Sequence, residues 1–496
     1  MEKRLQWLQA AATDINAEAP TAYSGDLEYF ANLSIGNPPV PFLALIDTGD
    51  GLTWTQCAHC RHCSAQPTPL FNPKKSSSYT ALNCPNDKCK LHDPDGCNGL
   101  PPGTKCKYRK VYLDGTGTRG DLATETLWFG DVHVPGVLLG CAFHSYGDVL
   151  RGGTGTLGLM QWNDSIVSQL DVRAFSYCLP KFGSNEIGRL FVGSGARTPP
   201  CALTTRLLRY PGYHGSLYHL HLQWITINGV PVPINASAFS ATNNDGSRGM
   251  IIDSGTTLTY LERSTFDAVA REITRQIRLP RTSHGYLTLC YKCPKGHAGG
   301  IQFPKIVLGF EGAALELPSQ NYFLILEDKG IMCVMMDASD SPLSFFGNFQ
   351  QQNTLVVYDL ANHKLSFVPN TTCFVFIFPS YKLTGNYTEH GELIWILWCG
   401  IQILLEILVL NQHTRGTKTE ESSREQFLQE KERKTWNLKL RNRPVCIIGR
   451  ATSKWRKPDW EKDDRPKRRR SSRIAELVED QPEGRRSSRI AELVED

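Results

Sequence analysis

Asp47 and Asp253 each close an apolar run, Ala44-Leu45-Ile46 and Met250-Ile251-Ile252, and each is followed by a small hydroxyl residue and a glycine, as Asp47-Thr48-Gly49 and Asp253-Ser254-Gly255-Thr256. Two carboxyls brought together can hydrolyse an amide without a metal or a covalent intermediate. One takes a proton from water while the other, protonated, donates to the carbonyl oxygen. Carboxyls about 3 Å apart do not both ionise readily, so they share one proton and their titrations split. A single Asp-Thr-Gly after a strand is more often a plain turn. Two such stretches, about 200 residues apart, imply two similar lobes that present one carboxylate each to a shared cleft. The glycines allow close backbone approach, and the hydroxyls of Thr48 and Ser254 are placed to brace one loop against the other.

The elements that must position these loops read as short β-type runs punctuated by Gly, Pro and Asn, beginning with Tyr29 to Ile35, Gly36-Asn37-Pro38-Pro39 and Phe42 to Ile46. Many short strands predict an all-β body. The best helical patterns are Ser165 to Leu170 and Arg263 to Ile273, and residues 1–22 read as a short amphipathic helix, a prosegment remnant or linker. Cys106 to Gly117 carries Asp114-Gly115, the turn of a hairpin with Tyr112 just before it, placed to fold over a cleft. His219 and His221 fall on one face of a strand, a pattern more often surface than ligand.

The chain has 54 Lys and Arg against 49 Asp and Glu; from Asn411 onward the counts are 23 and 16, which leaves 31 and 33 for residues 1–410. The basic character therefore belongs to the tail and gives no reason for the body to bind nucleic acid. Fourteen of the 16 cysteines lie between Cys57 and Cys373. With sequons at Asn32, Asn163, Asn235 and Asn370, this points to a glycosylated, secreted protein in an oxidising compartment, although the N-terminus lacks the apolar core of a signal peptide. Cys57-Ala58-His59-Cys60-Arg61-His62-Cys63 has the spacing of a metal nest, but Cys84, Cys89, Cys97 and Cys106 follow in a turn-rich loop, and a disulfide knot without metal is the expectation. Beyond Cys373, Leu393 to Leu410 is at the short limit for a membrane span and carries Glu406. Lys467 to Arg470 resembles a nuclear localisation signal, and the last residues duplicate Arg469 to Asp480.

With both Asp stretches in view, the chain resembles the pepsin-family aspartic proteases, and within them the plant nepenthesin-type branch. The matching residues are Ile35 to Pro39, Asp47-Thr48-Gly49, Leu52 to Cys57, Phe175 to Leu179, Ile251 to Leu261 and Gly347 to Asn353, in order over Tyr23 to Cys373. The resemblance implies a bilobal pepsin-like fold with a cleft between residues 23–196, with a Cys-rich insert at 57–106, and residues 197–373. It implies an endopeptidase that cleaves proteins or peptides at acid pH, as a monomer without cofactor, outside the cell or in the vacuole. Asp47 and Asp253 are then the catalytic pair, supported by Thr48, Gly49, Asp50, Ser254, Gly255 and Thr256. Tyr112 is the flap tyrosine and Trp54 the indole that hydrogen-bonds it. Leu157-Gly158 and Phe346-Gly347 pack under the two Asp loops. Cys290 and Cys333 pair in the second lobe. Cys57, Cys60, Cys63, Cys84, Cys89, Cys97, Cys106, Cys141, Cys178 and Cys373 are further disulfide candidates with no pairing assigned.

Asp50 departs from the pattern, because the family has serine there, with a hydroxyl that supports the catalytic carboxylate. An ionised Asp only accepts, and its charge raises the pair's pKa values. The expectation is an enzyme confined to acid pH, where a protonated Asp50 donates in place of serine. The alternative is a weak or inactive binding or inhibitor protein on the same scaffold. Leu113 also replaces a common flap glycine, Met160 to Asp164 replaces a Gly-Arg-Gly-like turn, and the tail at 374–496 has no family counterpart.

Overall fold

Along Tyr29–Ile35 and Val40–Asp47 buried residues come to alternate with half-buried ones, so one face of the hairpin is dry. The computed structural model describes residues 15–23, 27–58, 60–150, 152–235, 237–239, 245–293 and 301–369. In it the two strands pair antiparallel, Phe30 opposite Leu45 and Leu33 opposite Phe42, and Phe42, Ala44 and Ile46 are fully buried. A side chain the size of Phe42 or Ile46 contributes about 1.5 to 3 kcal/mol when buried. That apolar face anchors the strand whose last residue is Asp47.

The same small device recurs in each lobe. Val40–Asp47 runs parallel to Gly155–Gly158, with Asp47 opposite Gly158, while Trp54–Gln56 pairs antiparallel with Gly155–Gly158. In the second lobe Gly249–Ile252 runs parallel to Leu343–Phe346, with Ile252 opposite Phe346, and Thr259–Glu262 crosses back. Glycine is required under each loop. A Cβ on Gly158 would stand 1.9 Å from the Gly51 carbonyl oxygen, and one on Gly347 would stand 2.2 Å from that of Leu258.

A continuous sheet joins the lobes. Asn16–Tyr23 pairs with Gly188–Gly193, which pairs with Ala174–Cys178; the latter pairs across the lobe junction with Thr354–Asp359, then come Lys364–Pro369 and Leu203–Leu208. At the junction Phe175 stacks on Tyr358 with ring centroids 4.3 Å apart. The helix expected within residues 1–22 is therefore corrected over Asn16–Tyr23, which is a strand. Ala17 and Ala19 are buried on one of its faces, and its backbone completes the ladders on both sides. Two four-stranded sheets complete the second lobe.

Both expected helices are present. Arg263–Gln276 buries Phe266, Val269 and Ile273, and the Glu262 carboxylate accepts from the amides of Ser264 and Thr265. Ile166–Gln169 is capped by Ser165. The cysteine-rich insert is stapled by Cys57–Cys141, Cys60–Cys63, Cys84–Cys97 and Cys89–Cys106, and the second lobe by Cys290–Cys333. The sulfurs of Cys84, Cys97 and Cys106 cluster within 4.8 Å, but all three are consumed by disulfides. Cys178 is disulfide-bonded, and so is Cys201, which was not among the expected candidates. Cys373, the apolar stretch 393–410 and the basic tail lie outside the described residues. Among the described residues no helix is long and apolar enough to cross a membrane.

Candidate active site

The two Asp loops interlock through their hydroxyl residues. The Thr48 amide donates to Ser254 Oγ (3.1 Å) and the Ser254 amide donates to Thr48 Oγ1 (2.9 Å). Each hydroxyl then donates to a carbonyl at the end of the other lobe's strand, Ser254 to Ile46 (2.7 Å) and Thr48 to Ile252 (3.4 Å). All these groups are buried, so each bond is unscreened, and losing a partner would leave a dry donor or acceptor.

This lacing brings each carboxylate over the other loop's glycine. A Cβ on Gly255 would lie 2.5 Å from Asp47 Oδ1, and one on Gly49 would lie 3.0 Å from both oxygens of Asp253. The carboxylates are themselves fixed by their own loops. The Gly49 amide donates to Asp47 Oδ1 (2.8 Å) and the Gly255 amide to Asp253 Oδ1 (3.0 Å). Asp253 has an extra donor, the Thr256 hydroxyl at 2.6 Å from Oδ2.

The electrostatics follow from this asymmetry. Burial first, then the charges of Asp253 and Asp50, push the Asp47 carboxyl well above the usual carboxylate range. Burial also raises Asp253, but its Thr256 and Gly255 donors pull it back. The two sites titrate as a pair.

Asp50 is buried and turned toward the hairpin. Its Oδ1 faces the Lys110 ammonium at 2.6 Å, and its Oδ2 accepts from the Tyr112 hydroxyl at 2.8 Å. The Tyr112 hydroxyl also accepts from Trp54 Nε1 at 2.7 Å. The expectation that a protonated Asp50 donates in place of serine is corrected. A carboxylate held by an ammonium and a phenol acts as an acceptor, and Tyr112, kept neutral first by burial and then by Asp50, is the donor. The hairpin itself is as expected, strands Lys107–Val111 and Gly117–Phe129 closing through Asp114-Gly115, with Gly115 at φ 81° and Leu113 exposed at the tip.

The Gly347 to Asn353 stretch braces the second Asp loop. Gln351 Nε2 donates to the carbonyls of Asp253 (3.2 Å) and Phe346 (2.8 Å), and Asn348 Nδ2 to that of Ser254 (3.1 Å). Behind Gly51 stands Asp164, almost completely buried and 2.6 Å from His92 Nδ1, a residue of the cysteine-rich insert. Lys110 left one usable trace in the sequence: it lies two residues before Tyr112, and strand alternation puts both on one face. His219, expected at the surface, is buried and hydrogen-bonds the His214 carbonyl at 2.7 Å.

Two lobes, each ending a parallel strand pair in a buried Asp over the partner's glycine, define a pepsin-type aspartic protease. The chain matches family models described as xylanase inhibitor N-terminal over residues 29–194 and xylanase inhibitor C-terminal over 217–369. It is 40% identical to aspartic proteinase nepenthesin-1 of Nepenthes gracilis, over 74% of this chain and 83% of the relative. It is 39% identical to nepenthesin-2 of the same plant, over 75% and 84%. Aspartyl protease 37 of Oryza sativa subsp. japonica is 35% identical over 72% of this chain and 83% of the relative. The fold is similar to the crystal structures of edgp (TM-score 0.59, 20% identity, 73% of this chain and 97% of that one) and of basic 7S globulin from soybean (TM-score 0.57, 19% identity, 72% and 98%). The chain belongs to the pepsin family of aspartic proteases, in its nepenthesin-type branch, and is an aspartic-type endopeptidase.

Proposed function

We propose that Asp47 and Asp253 are the catalytic pair, and that water held between them attacks peptide bonds of protein substrates at acid pH. The observation that carries this is the placement of each carboxylate over the opposite loop's glycine, where a Cβ would stand 2.5 Å from Asp47 and 3.0 Å from Asp253. With the Thr256 hydroxyl stabilising its charge, Asp253 is the carboxylate that takes the proton from water, and Asp47 holds the shared proton and donates it to the substrate carbonyl. Tyr112, on the flap, and Trp54 close the site from above.

Residues 23–196 and 197–373 serve as the two cleft walls, and the enzyme acts as a monomer. The dense disulfides fit an oxidising location, extracellular or vacuolar. The test is cleavage of denatured haemoglobin at about pH 3 to 4, sensitive to pepstatin and abolished in both Asp47→Asn and Asp253→Asn. Pepstatin-insensitive cleavage, or full activity in either variant, would overturn this assignment. A folded protein with no cleavage at any pH would instead favour the binding-protein alternative.

A further inference from the structure

In place of the usual serine, the first Asp loop carries a buried carboxylate, and the flap strand carries a lysine that meets it. Lys110 is four-fifths buried and Asp50 almost wholly so, which leaves little solvent to screen them. Lys110 and Tyr112 stand two residues apart on one face of the hairpin, and each engages a different oxygen of Asp50. One carboxylate thus ties two flap residues to the loop that bears Asp47. Tyr112 passes the tie on to Trp54.

We infer that Lys110 is a positioning residue for the catalytic pair: at the position where the family has serine, its ion pair with Asp50 fastens the flap strand to the catalytic loop, and it compensates a charge that would otherwise stand alone beside the dyad. The inference rests on Asp47 and Asp253 being that dyad.

Among the described residues, the charged and titratable groups around the pair are few. Asp47 lies on the same loop and Asp253 across the dyad. Tyr108 and Tyr112 come from the flap, and Asp164 and Tyr213 flank Lys110. Asp164 is itself met by His92 from the insert. Lys110 is therefore set between two aspartates, Asp50 and Asp164. Burial alone would favour its neutral form, but Asp50 and then Asp164 outweigh burial and keep it charged.

Removing the ammonium strands the Asp50 carboxylate, which is tolerable only where it is protonated. The loss must therefore grow with pH, which a purely structural defect would not produce. In Lys110→Met we expect kcat/KM on a peptide substrate to fall on the order of tenfold at about pH 6 and much less at about pH 3. Lys110→Arg should retain activity within about threefold across the range. Asp50→Ser with Lys110→Met restores the family's residue and removes the isolated charge. It should recover most of the loss and abolish its growth with pH. Full activity of Lys110→Met at both pH values, or a double variant no better than Lys110→Met, would overturn the inference. Asp253→Asn in parallel separates the two readings, since activity surviving there would instead refute the dyad on which the inference stands.

Discussion

The Thr256 hydroxyl donates to Asp253 Oδ2 over 2.6 Å, whereas at the corresponding position of the other loop Asp50 turns away to Lys110 and Tyr112. The dyad is therefore built unequally, with one carboxylate better solvated by its protein surroundings than the other. Thr256→Val removes a hydrogen bond to a charged group, worth about 1.5 to 3 kcal/mol. Asp253 then ionises only at higher pH, so the acid limb of the kcat/KM profile should move up by about one to two units. An unmoved acid limb would mean that Asp253 is not the ionised member.

Gly255 and Gly49 are predicted to differ in their tolerance of alanine. Both face the opposite carboxylate, but an added Cβ meets Asp47 Oδ1 at 2.5 Å from Gly255 and Asp253 at 3.0 Å from Gly49. Gly255→Ala must push Asp47 aside, and misplacing a reacting group by about 1 Å reduces rate on the order of 100-fold. Gly49→Ala should lose less. Steady-state kinetics on both variants, with melting curves to show that they fold, checks the order.

His219 makes the protein acid-sensitive in a way the dyad does not. Burial, only partly offset by the bond to the His214 carbonyl, lowers its pKa from 6.5 to about 4. The folded state thus resists a proton that the unfolded chain accepts. Stability is undiminished above the unfolded value of 6.5, falls as pH drops toward 4, and loses no more below it, by about 3 kcal/mol in all. Asp47, with its raised pKa, works in the opposite sense, since its folded form takes up a proton more readily. Urea unfolding at about pH 7 and pH 4 should therefore show a smaller acid loss in His219→Gln than in the parent. Equal losses would refute the assignment.

The Cys290–Cys333 bridge closes a separation of 43 residues across paired strands. By chain entropy such a loop contributes about 4 kcal/mol. The double variant Cys290→Ala/Cys333→Ala should lower the denaturant midpoint accordingly. An unchanged midpoint would place the stability of the second lobe elsewhere.

Much of this was legible because it is local. Asp47-Thr48-Gly49 and Asp253-Ser254-Gly255 announce themselves as repeated tripeptides after apolar strands, and the hairpin turn at Asp114-Gly115 and the helix Arg263–Gln276 follow from their own residues. The strand Asn16–Tyr23 was misread because Ala, Glu and Pro carry little strand preference. Its conformation comes from the ladders that it completes with Gly188–Gly193 and Tyr29–Ile35. Most disulfide pairings were equally unreadable, since a cysteine's partner depends on which loops the fold brings within reach.

Asp50 divides the two kinds of knowledge most sharply. From the sequence alone it was known to stand where a serine is usual, and its acceptor chemistry and like charge beside Asp47 followed from its side chain. That it is held by Lys110, 60 residues further along the chain, only the tertiary structure decided. The spacing of Lys110 from Tyr112 shows which face it shares but not which carboxylate it meets, and that pair exists only where folding has brought a flap strand down onto a catalytic loop and excluded the water between them.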